Sequence, residues 1–148
     1  MDAIDRQLVD LLRENARMPY AELARQVSLS APAVHERVGK LESSGVIRAY
    51  RAEVAPEAVG LGVTAIIGVV QDSSGDTDGI LEALQQRPEI ESCYFMAGEE
   101  SFMLAARVAS IAELEGLIVE LNRIKGVART RTAIALSTKW EGRPQRSR

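Results

Sequence analysis

The chain has 148 residues, a formal net charge of -3, an apolar content of 46%, one cysteine and one histidine, which together describe a folding chain and not a disordered one. Its longest apolar stretches, 63–70 and 102–106, fall far short of the roughly 20 residues of a membrane span, and no basic segment followed by an apolar core opens it, so a cytoplasmic protein is expected. Cys93 alone excludes an internal disulfide and a cysteine-rich zinc site, and His35 alone leaves metal binding and histidine-based catalysis without their usual groups.

In chain order, Ile4, Leu8, Leu11 and Leu12 share one side of a helical wheel, which predicts an amphipathic helix over 4–15. Leu23, Ala24 and Val27 give the apolar face of a short second helix begun near Pro19, and Ser28-Leu29-Ser30 turns the chain. Ser30 is suited to cap a third helix in which Pro32 occupies an early position and Val34, Val38 and Leu41 form the inward stripe, ending at Gly45. The β-forming run from Val46 to Val54 predicts a strand or wing. Pro56 and the glycines of Val59-Gly60-Leu61-Gly62 mark the passage to a second unit.

The rear unit reads as strand 63–71, helix 77–87, strand 90–97, strand 101–109, helix 110–122 and strand 127–138. The order βαββαβ predicts an antiparallel four-stranded sheet with both helices on one face. The expected fold is therefore α+β: a winged helix-turn-helix at 1–50, a linker at 51–62, a ferredoxin-like unit at 63–138 and a basic tail at 139–148. Strands 63–70 and 102–108 are apolar on both alternating faces, which predicts sheet-to-sheet packing in at least a symmetric dimer. Cover by the chain's own head or tail is the alternative. Charge follows the same division: residues 1–55 are balanced, 56–138 carry the acidic excess and the tail is basic.

A rotation of about 100° per residue turns Pro32, Glu36, Gly39, Lys40 and Ser43 outward on the third helix, with Ala33, His35 and Arg37 at the flanks. Short residues near its start permit close approach to a groove. Lys40 and Arg37 are candidates for phosphates or guanine edges, His35 for an acceptor and Glu36 for cytosine, while Ser28 and Ser30 suit backbone phosphates. A solvated helix face is the competing reading. A short second helix, a tight turn, a capped third helix and a dimerising unit together favour double-stranded DNA.

These elements resemble the feast/famine regulators, the leucine-responsive and asparagine-regulator (Lrp/AsnC) family of transcription factors. The resemblance rests on Ile4-Asp5-Arg6-Gln7-Leu8-Val9-Asp10-Leu11-Leu12, on Glu22-Leu23-Ala24-Arg25, on Leu29-Ser30 with Val34, Arg37, Val38, Leu41 and Glu42, and on Gly45-Val46-Ile47. It implies a transcriptional regulator, a homodimer with a homo-octamer as a further possibility, and a non-covalent amino-acid effector held where rear units meet. The turn Ala97-Gly98-Glu99-Glu100-Ser101-Phe102 looks like the family's effector loop, but Glu100 and Ser101 stand where an aromatic residue and an aspartate are common. Gly98, Glu99, Glu100 and Ser101 are candidate effector contacts, with the two glutamates pointing to a basic effector such as lysine or arginine; Thr130 and Thr132 are candidates for the same interface. Cys93 is expected to be buried. No catalytic pair and no cofactor are expected. A metabolite-sensing assembly protein without specific DNA binding and, more remotely, an enzyme are the alternatives.

Overall fold

The computed structural model describes residues 1–148, which divide into two compact units, Met1–Glu53 with Trp140–Arg148 and Val54–Lys139. In the first unit, α1 (Ala3–Glu14) starts in a reciprocal cap: Asp5 N–H donates to the Asp2 carboxylate at 2.8 Å and Asp2 N–H to the Asp5 carboxylate at 3.0 Å. Both donors would otherwise lack a partner within the helix. α2 (Tyr20–Val27) ends at Ser28, whose φ of 57° lies in the left-handed region and reverses the chain sharply. α3 (Ala31–Ser43) then starts at Ser30, whose Oγ accepts from Ala33 N–H at 3.3 Å, with Pro32 in the first turn. Leu8, Leu12, Leu23, Ala24, Val27, Val34, Val38 and Leu41 make the buried core of this head. Each larger side chain there contributes on the order of 1.5–3 kcal/mol by leaving water.

The strand expected over 46–54 does not form. After Gly45, at φ 75°, the segment carries no ladder; Ile47 N–H donates to Leu41 C=O at 3.0 Å and its side chain packs on the core, while Val46, Tyr50 and Val54 remain exposed. The head offers no second strand, and β propensity describes fit to a sheet more than a preference of the isolated backbone. The C-terminal residues, expected as a basic tail, are ordered along α1. Ser147 N–H and Oγ donate to the two Asp10 carboxylate oxygens at 2.8 and 3.1 Å, and Arg13 donates to the Gln145 carbonyl. Trp140 is exposed, with the Arg143 guanidinium 5.0 Å from its ring centre.

The second unit opens with a 3-10 turn at Pro56–Val59 and continues as β1 (Val63–Gln71), α4 (Thr77–Gln85), β2 (Ile90–Phe95), β3 (Phe102–Val108), α5 (Ile111–Asn122) and β4 (Val127–Ile134). The strands form one antiparallel sheet in the order β2-β3-β1-β4, the ferredoxin-like arrangement expected. Ile67 sits opposite Leu104 on one side and Thr132 on the other. Ala65, Ile67, Val69, Phe102, Leu104, Ala106 and Val108 pack with Ile80 and Leu84 of α4 and Leu114, Leu117 and Leu121 of α5. By strand alternation the opposite face carries Thr64, Ile66, Gly68, Met103 and Ala105.

β4 stops at Ile134, short of the expected 138. Its partner β1 begins at Val63, and once Ala135 N–H has donated to Thr64 C=O at 2.9 Å the chain runs out of strand to pair with. At the far end, Gly75 and Gly126 meet: a Cβ on Gly126 would lie 2.7 Å from Gly75 Cα, and the Gly126 φ of 92° favours glycine independently.

Candidate nucleic-acid interface and effector loop

α3 carries three surfaces. Val34, Val38 and Leu41 anchor it in the core, and Pro32, Glu36, Gly39, Lys40 and Ser43 form an exposed row on the opposite side with half-buried Ala33 at its edge. Lys40 Nζ donates to Glu36 Oε1 at 2.8 Å, an i,i+4 pair that holds the Glu36 carboxyl below its ordinary range. A cation and an anion thus stand together on the outward row, and Gly39 has open space above it. A groove of about 540 Å³ runs from this row to the start of α1, lined by Met1, Asp5, Ala33, Glu36, Arg37 and Lys40.

Arg37 and His35 lie on opposite flanks of that row. Arg37 Nη1 donates to Asp2 at 2.7 Å and Asp5 at 2.8 Å, so the guanidinium faces α1. The Asp5 backbone donor first, then Arg37, holds the Asp2 carboxyl below its usual value. His35 stacks obliquely on Tyr20, ring centres 4.7 Å apart. On the same flank Tyr50 OH donates to Glu42 at 2.7 Å; loss of hydration and then the Glu42 charge push the phenol up to about 12. Ser28 and Ser30 are exposed at the turn before α3. Ser30 uses its oxygen as the helix cap and keeps a hydroxyl proton to donate.

In the second unit the turn after β2 folds back over β1. Ser101 N–H donates to Val69 C=O at 2.8 Å, Met96 N–H to Ser101 C=O at 2.9 Å, and Gly98 takes a φ of 139° between them. This brings Glu100 over Gly68: a Cβ at Gly68 would lie 2.7 Å from Glu100 Cγ. Gly68 is paired with Arg131 of β4, whose Nη1 donates to Glu100 at 3.0 Å and approaches Glu99 at 3.5 Å. Arg129 donates to Glu99 as well. Arg131 holds the Glu100 carboxyl below its ordinary range.

The two glutamates, expected to await a cationic effector, are therefore already matched by two guanidinium groups of the same chain. Thr130 and Thr132 do not join them. Asn122 of α5 donates to Thr130 Oγ1 at 2.9 Å, which puts Thr130, and Thr132 two residues on, on the helix-covered side, opposite Arg129 and Arg131. Cys93, expected to be buried, is exposed because β2 is an edge strand; partial desolvation still pushes its thiol up.

Residues 1–42 match the AsnC-type helix-turn-helix domain and residues 64–145 match the Lrp/AsnC ligand binding domain. The chain belongs to the Lrp/AsnC family. It is 41% identical over 143 residues to the HTH-type transcriptional regulator LrpA of Mycobacterium tuberculosis, covering 97% of this chain and 95% of the relative. A solved structure of a feast or famine regulatory protein from M. tuberculosis complexed with L-methionine superimposes with a TM-score of 0.92 at 40% identity, covering 99% of both chains. A Neisseria meningitidis transcriptional regulator in complex with L-methionine gives 0.88 at 27% identity, covering 95% of this chain and 93% of that one. This Lrp/AsnC chain is thus a helix-turn-helix transcriptional regulator and not an enzyme.

Asp2, Asp5, Tyr20, Gly68, Arg129 and Arg131 were not legible as site residues in the sequence. Only the last two left a signal: alternation in the final strand puts both arginines on one face, where they complement the acidic turn. No helix is long and apolar enough to cross a membrane, and no cluster of three or more His, Cys, Asp or Glu side chains could hold a metal ion.

Proposed function

We propose that this regulator reads its operator with the outward row of α3, as a two-fold symmetric dimer, and that an amino acid bound at the loop 98–101 modulates it. The observation that carries the reading is the pairing of an exposed Glu36/Lys40 row with a fixed helix start at Ser30. Lys40 reaches phosphate or a guanine edge once it exchanges its bond to Glu36, and Glu36 accepts from cytosine; Pro32, Ala33 and Gly39 let the backbone approach. His35, Ser28 and Ser30 add contacts at the rim, and the start of α3 favours a phosphate. The open sheet face supports a homodimer, since Ile66 and Tyr94 would otherwise stand in water on one side of a two-layer unit. Assembly of dimers into an octamer is a further step on the same surface logic. A cytoplasmic location follows from a DNA target.

For the effector, Glu99 and Glu100 next to Arg129 and Arg131 offer both signs of charge, which suits a zwitterion: carboxylate to guanidinium, ammonium to carboxylate. Because the loop is charge-balanced, the charge argument for lysine or arginine falls away and a neutral amino acid, as in the two L-methionine complexes, fits better. Genomic recovery of bound DNA, followed by titration of the enriched duplexes with and without a panel of amino acids, tests the reading. Specific duplexes whose affinity shifts with one neutral amino acid are expected. Equal affinity for all duplexes, or no response to any amino acid, would remove the corresponding half.

A further inference from the structure

Resting on the reading above, in which α3 enters the groove, we propose that Arg37 is a positioning residue: it ties α3 to the first turn of α1 and so sets the roll of the Glu36/Gly39/Lys40 row. A basic residue on a reading helix is ordinarily taken as a phosphate contact. Here both donors of the Arg37 Nη1 are taken on the protein side. Asp2 gives Oδ1 to the Asp5 N–H and Oδ2 to Arg37; Asp5 gives Oδ2 to the Asp2 N–H and Oδ1 to Arg37. Each carboxylate is thus divided between the cap of α1 and one nitrogen of α3. Both bonds to Arg37 are short, 2.7 and 2.8 Å.

Two consequences follow. First, a phosphate approaching Arg37 meets two carboxylates that already neutralise it, so little net attraction is left for a further anion. Lys40, with 74% of its side chain exposed against 31% for Arg37, is the basic group of α3 that projects into solvent. Second, Val34, Val38 and Leu41 hold α3 along one apolar line, which resists lifting more than rolling. Arg37 on one flank and the His35–Tyr20 stack on the other oppose that roll. Arg37 is adjacent to Glu36 and three positions before Lys40, so a roll of α3 is carried directly into the row.

The test uses the full-length chain on an enriched operator duplex, with affinity measured across a salt series for Arg37→Met, for the Asp2→Asn/Asp5→Asn pair and for all three together. Positioning predicts that Arg37→Met weakens specific binding about tenfold, the effect of one base contact thrown out of register, with the slope of log K against log salt unchanged. It predicts the same loss for the aspartate pair, although two negative charges have been removed, and no further loss for the triple variant. The aspartate pair leaves α3 unaltered, so it decides the matter even if Arg37→Met folds poorly. A phosphate contact would give the opposite: Arg37→Met lowers the slope by about 0.9 per copy and the aspartate pair binds more tightly. That outcome overturns the positioning role while wild-type specificity stands. A wild-type chain with no preference among duplexes overturns the groove reading itself, and is seen before any variant is made.

Discussion

Replacing Lys40 by Met separates its role in the fold from its role on DNA. In the free protein Lys40 pairs with Glu36 at 2.8 Å on a surface where both side chains are about 70% exposed, so removing the charge should leave thermal stability nearly unchanged. On DNA each phosphate contact contributes about 0.9 to the slope of log K against log salt. A two-fold dimer carries two copies of Lys40, so the slope should fall by about 1.8. Between 200 and 50 mM salt, wild-type protein should then gain about 12-fold more affinity than the variant. Fluorescence anisotropy on a labelled operator across that range reads the difference, with a thermal melt as control. Equal slopes for the two proteins at equal stability would refute a phosphate role for Lys40.

Glu36→Gln frees Lys40 and removes a carboxylate from the row, so binding to unrelated duplexes should tighten while discrimination at one base position falls, as read by competition with single-base operator variants. Gly126→Ala should destabilise the second unit by about 2–4 kcal/mol, since it adds a strained positive φ to a 2.7 Å contact with Gly75 Cα; calorimetry showing less than about 1 kcal/mol would contradict that packing. Arg131→Met should abolish the amino-acid response but leave operator affinity in the absence of effector within about threefold, since Arg131 lies outside the reading helix. The Tyr50 phenol is raised from 10.0 to about 12, so the stability it contributes is complete below 10 and lost as pH rises from 10 to about 12; Tyr50→Phe should erase that part of the pH–stability curve. Asp2 and Glu100 are lowered, so their contributions are complete above their ordinary values, 3.8 and 4.5, and are lost on acidification through the folded-state values.

Local chemistry made much of this legible beforehand. Apolar period, capping residues and turn glycines place every regular helix and strand of both units within a few residues, because those signals act over one or two turns of chain. What escaped depends on partners distant in sequence. Val46–Val54 has the composition of a strand, but the head contains nothing for it to pair with. Arg37 reads as a surface cation until α1 folds against it and supplies Asp2 and Asp5. Glu99 and Glu100 read as an unmatched acidic pair until β4 lies beside β1 and delivers Arg129 and Arg131. Gly68 carries no motif at all; its meaning is the space it leaves for Glu100.

Whether α3 of this Lrp/AsnC regulator reads sequence is decided by its affinity, at fixed salt, for a duplex recovered from genomic binding against an unrelated duplex of equal length. A preference of at least about 10³-fold is expected. Equal affinities, from a protein whose amino-acid binding and assembly are intact, would contradict sequence reading by α3.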